Sequence, residues 1–198
     1  MSPPLRHEIA GEAARIVCIE SLTDYRAAKL KALERLGLPL RTTALPDNAL
    51  VDAAVIDYLR LFGGAAYTQR LQRMRSLAPR LMRRLAQFEP RLVGAVVSGA
   101  VTAAHRLQLH LFAEQPEALD LFLLDRGIPF NVGGRRYRYP DGREQDLSLL
   151  RLEIDGIGID LAVFSIEDRR RAPISPSTGR PYRRLNLDEA EALAQCPP

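Results

Sequence analysis

Lysine is almost absent from this chain: of 28 Lys and Arg residues only Lys29 and Lys31 are lysines, so nearly all positive charge is arginine. Arginine binds phosphate and stacks on bases better than lysine does, although a GC-rich genome enriches Arg, Ala, Leu and Pro codons as well. Cysteine is scarce too. Cys18 and Cys196 stand at opposite ends of the sequence, which excludes both a disulfide framework and a zinc-ligand pattern and suits a reducing cytoplasm. No apolar run approaches the roughly 20 residues of a membrane span. Residues 1–6 hold no apolar segment of the kind a secretory signal needs. The expectation is a cytoplasmic protein with no membrane partner. Hydrolase chemistry also lacks support, because Ser21, Ser98 and Ser165 have no nearby His–Asp arrangement. His7 and His105 have no partner at a diagnostic spacing.

What is present is a globular composition, 46% apolar and 26% charged in 198 residues, enough to bury a core without staples. Charge is uneven. Residues 1–90 carry 14 basic and 9 acidic side chains, and residues 91–198 carry 14 and 15. A polyanion-binding surface is therefore expected mainly in the first half.

Periodicity divides the chain near residue 90. Before it, apolar residues recur at helical spacing over 5–22, 23–36, 46–62 and 67–88. Thr23 or Asp24 is placed to cap the second helix and Pro46-Asp47-Asn48 to open the third, with Gly37 and Gly63-Gly64 to end them. Pro79 predicts a kink or two short helices in the fourth segment. After residue 90 the pattern becomes that of strands. Residues 92–97 form a short apolar run. Residues 106–112 alternate, with Leu107, Leu109 and Leu111 on one side and Arg106, Gln108 and His110 on the other. A helix is expected over 116–126, then a hairpin of 130–139 and 147–154 around Pro140-Asp141-Gly142, and a third strand over 157–164. Residues 167–198 read as a basic, poorly ordered tail ending in a short helix that packs on the core. The fold class is α+β: a helical region, 1–90, followed by a mixed β-sheet core, 91–166, with flanking helices.

Val93-Gly94-Ala95 is followed, after ten residues, by Arg106-Leu107-Gln108-Leu109, and Ile159-Asp160-Leu161-Ala162-Val163 stands on the last strand. This order resembles the nucleotidyltransferase (DNA polymerase β-like) superfamily. There an apolar residue, Gly, and Gly or Ser precede Asp–apolar–Asp/Glu–apolar, and a third carboxylate follows on a later strand. The glycine turn lets backbone N–H groups approach a triphosphate. Carboxylates two apart share one strand face and, with the third, cage two Mg²⁺ ions. Nearly the whole chain is also similar to a group of proteobacterial nucleotidyltransferase-like proteins of no assigned activity. That likeness is carried by Ile9-Ala10, residues 12–15, residues 28–37, Leu45-Pro46, Leu61-Phe62, residues 88–94, residues 109–112 and Gly179-Arg180-Pro181.

The resemblance implies a nucleotidyltransferase-like core whose metal site is degenerate. The carboxylate positions hold Arg106, Gln108 and Asp160, and the Ser position holds Ala95. A cation and a neutral amide do not make a two-metal cage. No cofactor is therefore expected, Mg²⁺ belonging only to the alternative of an active transferase with an atypical site. Asp160 is the candidate catalytic residue. Gly94, Ala95, Arg106, Gln108 and His110 are the candidate ligand-binding set. Arg73, Arg80 and Arg84, on one helical face, and Arg135, Arg136 and Arg138, interleaved with Tyr137 and Tyr139, are the candidate nucleic-acid contacts. The expected partner is a nucleotide, RNA or another protein. A binding module without transfer ranks first, an active transferase second and a purely structural protein third.

Overall fold

The computed structural model describes residues 3–196. The helices form where caps and apolar periodicity agree. Helix α1 spans Pro3–Glu20, α2 Tyr25–Arg35 and α3 Asn48–Phe62. The Asp24 carboxylate accepts the amides of Arg26 and Ala27 at the start of α2, and Asp47 accepts that of Leu50 at the start of α3. Each satisfies a donor that a helix start leaves unpaired. Helix α4, Gly64–Arg84, runs through Pro79 as one element. Two short helices are therefore not formed: buried Leu71, Met74, Ala78, Met82 and Leu85 continue the apolar stripe across the proline within one helix. Tertiary burial offsets the lost hydrogen bond.

Contacts divide the chain into two units. The first comprises residues 1–70, 98–105 and 175–180. Here α1 packs on α2 and α3, burying Ile9, Ala13, Ile16 and Val17. The Tyr25 hydroxyl donates to buried Asp52 at 2.7 Å. The Arg70 guanidinium donates to the carbonyls of Thr102, Ala103 and His105 at 3.1, 3.0 and 2.8 Å, and Tyr67 donates to Gly99.

The second unit comprises residues 71–97, 106–174 and 181–198, and it holds the sheet. Strands β1 (Arg91–Val93), β2 (Leu107–Phe112), β3 (Asn131–Arg138), β4 (Glu144–Ile154) and β5 (Ile157–Phe164) form a mixed sheet in the order β1-β2-β5-β4-β3. Only β2 and β5 are parallel, with Gln108 opposite Asp160 and Leu109 opposite Leu161. One face carries Leu92, Leu107, Leu109, Leu150, Ile159 and Leu161, all buried. Helix α6 (Ala118–Leu124) and the 3₁₀ turn Ala86–Phe88 lie on this side, where Phe88 meets Phe122 edge-on. The second face carries a buried cluster of Val93, Phe112, Tyr137, Leu149, Phe164 and Tyr182.

Two expectations change. The apolar run 92–97 is a strand only to Val93; Gly94 then turns at φ +81° and Ala95–Ser98 forms a single helical turn, α5. Apolarity cannot separate a strand from a buried turn. The second change is larger. Residues 167–186 are no poorly ordered tail: Asp168, Tyr182 and Leu185 are buried, and Leu92 and Leu185 exchange two backbone hydrogen bonds at 2.9 Å beside edge strand β1. Helix α7, Leu187–Gln195, follows behind a capping box made by Asn186 and Glu189. A stretch rich in Arg, Pro and Gly carried its ordering residues singly, so no periodicity announced them.

Candidate functional site

Side chains on the second sheet face alternate with the core leucines, so Gln108, Asp160 and Arg151 lie side by side on β2, β5 and β4. Gly94 closes one end. A Cβ at Gly94 would stand 2.9 Å from Gln108 Oε1, so the glycine is required both by its positive φ and by this close approach. Arg106, just before β2, folds across the strands. Its Nε donates to Asp160 Oδ1 at 2.5 Å, and its Nη2 to the carbonyls of Leu152 and Ile159 at 3.0 Å. The guanidinium covers Gly158, where a Cβ would clash with it. Asp160 is buried and Arg106 partly so. The structure therefore gathers Gly94, Arg106, Gln108 and Asp160 on one side of the sheet.

Arg151 is a residue the sequence reading missed. It stands opposite Asp160 and lies over Gly133 of β3, with its guanidinium carbon 3.5 Å from the space a Cβ there would fill. Nothing in the local sequence marks it; only strand register does. Glu153, two residues on, shares that side of β4, opposite Gly158. The patch thus holds two guanidiniums and two carboxylates.

The donor set does not suit Mg²⁺. Of the three motif positions only Asp160 is a carboxylate, and the cation of Arg106 already occupies one of its oxygens. Hard cations need several oxygen ligands. Among the described residues no group of three or more His, Cys, Asp and Glu side chains gathers in a way that would hold a metal ion.

His110 faces the same side but lies deeper, 1% exposed. It is ringed by Phe164, Tyr137 and Tyr182, with centroids 4.5, 5.6 and 4.9 Å away. Alternation placed it with Arg106 and Gln108 on an open polar face, but Tyr182 and Arg184 cover that part of the sheet. Its Nδ1 accepts from Arg184 Nε at 3.1 Å. Burial, with Arg184 and Arg135 adding like charge, pushes its pKa well below the usual imidazole value. Arg184 also escaped the sequence reading. Its Nη1 donates to the carbonyl of Asp168 at 2.6 Å, at the 3₁₀ turn Ile166–Arg170. Its guanidinium lies 5.0 Å from the Phe112 and Phe164 ring centres. Burial lowers its pKa to about 10. Asp168, 3% exposed, accepts from Arg143 at 2.8 Å and from Ser165 at 3.1 Å.

The remaining candidates are dispersed. Ala95 opens α5. Two of the three hairpin arginines are relieved by acids. Arg136 forms a bidentate pair with Asp146 at 3.0 Å, and Arg138 bonds Glu144 at 3.0 Å. Arg135 points to the opposite face from these two and donates to the Tyr182 hydroxyl. On α4, Arg73 donates to the Asp155 carbonyl and Arg80 is exposed. Arg84 lines a cavity with Leu161. Leu161 and Asp160 are consecutive on β5 and point to opposite faces, so Arg84 does not extend the Gly94–Asp160 patch.

No protein-family profile, curated protein or solved structure matches the chain. What is defined is the class: an α+β protein with N-terminal helices and a five-stranded mixed sheet. Among the described residues no helix is long and apolar enough to cross a membrane.

Proposed function

We propose that the protein is a nucleotidyltransferase-like binding module that holds a nucleotide phosphate beside the Gly94 turn and transfers nothing. The observation that carries this reading is the Arg106–Asp160 ion pair. It puts a cation where a transferase of this type would gather metal ions, on the face that also carries Gly94 and Gln108. An arginine fork can satisfy a carboxylate and still present a further donor to an anion. Arg151 supplies a second guanidinium one strand away. Support for the superfamily comes from the local order of elements, strand, glycine turn, short helix, antiparallel strand, with Asp160 on the parallel neighbour.

Two measurements on the full chain test it. Calorimetric titration with nucleoside triphosphates should show binding that does not require Mg²⁺ and that weakens at least tenfold in Arg106→Ala. Incubation with radiolabelled ribonucleoside triphosphates, Mg²⁺ and protein or RNA acceptors should leave the acceptors unlabelled. Mg²⁺-dependent labelling abolished by Asp160→Ala would show an active transferase. Absence of binding by any triphosphate would leave a protein-interaction scaffold.

A further inference from the structure

The opposite face of the sheet holds a cavity of about 480 Å³, within the range of small-molecule sites. Its walls come from the end of α4, from α6 and the residues just after it, from the end of β4 and from the middle of β5. Eight of its ten lining residues are apolar, among them Leu81, Phe122, Ile154 and Leu161; the other two are Arg84 and Arg126, and no acid is present. An apolar chamber of this size with two cations and no carboxylate among its lining residues suits an apolar body with an anionic end.

The two arginines are placed differently. Arg126 is stacked on Phe122, its guanidinium 3.7 Å from the ring centre, and one of its nitrogens donates to the Phe122 carbonyl at 3.2 Å. The head is thereby fixed against the apolar wall with donors to spare. Arg84 is exposed and makes no hydrogen bond or ion pair among the described residues. This contrasts with its neighbour Arg83, which binds Glu191 at 2.6 Å. Exposed Leu121 and Leu124, 60% and 62% accessible, extend the apolar surface of α6.

We propose that this cavity binds a medium-chain acyl carboxylate, its alkyl chain among Leu81, Phe122 and Ile154 and its carboxylate between Arg84 and Arg126. Because Leu161 and Asp160 point to opposite faces, this site is separate from the Gly94–Asp160 patch and does not depend on the function proposed for it.

The test is calorimetric titration of the full chain with decanoate, with decanol and hexanoate as comparisons. Decanoate should bind at a single site per chain. Decanol, which lacks the charge, and hexanoate, which fills less of the chamber, should each bind at least tenfold more weakly. The double variant Arg84→Gln with Arg126→Gln should lose at least tenfold for decanoate, while Arg83→Gln stays within twofold of wild type. Both altered residues are exposed, so the fold is retained, which circular dichroism checks. A second variant, Leu81→Trp, should abolish decanoate binding by filling the chamber. Equal binding of decanoate and decanol, undiminished binding in the double arginine variant, or no saturable decanoate binding would each overturn the assignment.

Discussion

At Asp160 two demands compete, since a buried carboxylate must be paired and a metal cage would need it free. Arg106 resolves the competition in favour of pairing, with three of its hydrogen bonds made to one aspartate and two strand carbonyls. Removing either partner would leave the other's charge inadequately compensated in a partly buried place. Gly94 sets the second local constraint. Its φ of +81° lies in the region where an L side chain is strained, and an added Cβ would meet Gln108 Oε1. The amide end of Gln108 can swing away, so backbone strain is the main cost. Gly94→Ala should lower stability by about 1–2 kcal/mol, read as a reduced midpoint in urea unfolding with an unchanged slope. An unaltered midpoint would show that the turn tolerates a side chain and that the glycine is there for another reason.

Helices α2, α3 and α7 each begin at a side-chain cap. Asp24 accepts two backbone amides at the start of α2, at 2.8 and 3.3 Å. Asp24→Ala should therefore cost about 1 kcal/mol, and Asp24→Asn should recover most of it because the side-chain oxygen is retained; chemical denaturation of the two variants checks this. The starts of these helices were legible in the sequence to within a residue, though the choice of Asp24 over Thr23 was not; the hairpin and the strand bearing Asp160 were legible too, because each rests on local rules of spacing and turn chemistry. The pairing of Arg106 with Asp160 was half legible: alternation put Arg106 and Gln108 on one side of β2, but the facing strand is 54 positions away, and register is a tertiary property. Arg151 was missed for that reason. His110 was misjudged because alternation tells which residues share a face and not what later covers it. Tyr182, Arg184 and Leu185, which do the covering, sit in a segment with no repeat for periodicity to detect.

Across the whole molecule, each of the two units holds one histidine whose Nδ1 accepts a hydrogen bond. In the first, His105 Nδ1 accepts the Thr102 amide at 3.1 Å and contacts the Thr102 hydroxyl at 2.8 Å. Burial, with a smaller contribution from Arg70, lowers its pKa from 6.5 to about 4. In the second, His110 accepts from Arg184, and burial likewise pushes its pKa down. Both imidazoles must be unprotonated at Nδ1 to accept. The unfolded chain binds protons at these residues as pH falls through 6.5, whereas the folded chain resists until well below it. Stability is therefore full above about pH 6.5 and falls on acidification, by up to about 1.4 kcal/mol per pH unit for each histidine. The opposite trend comes from Asp52, whose pKa burial raises. Urea unfolding at pH 7.5, 6.5 and 5.5 should show a midpoint that falls slightly over the first interval and much further over the second. His105→Asn places an amide oxygen close to the position of Nδ1, so it keeps the Thr102 contact while removing one titration. That variant should lose about half of the drop. A midpoint unchanged between pH 6.5 and 5.5 in the wild type would mean that neither histidine is held neutral in the folded protein.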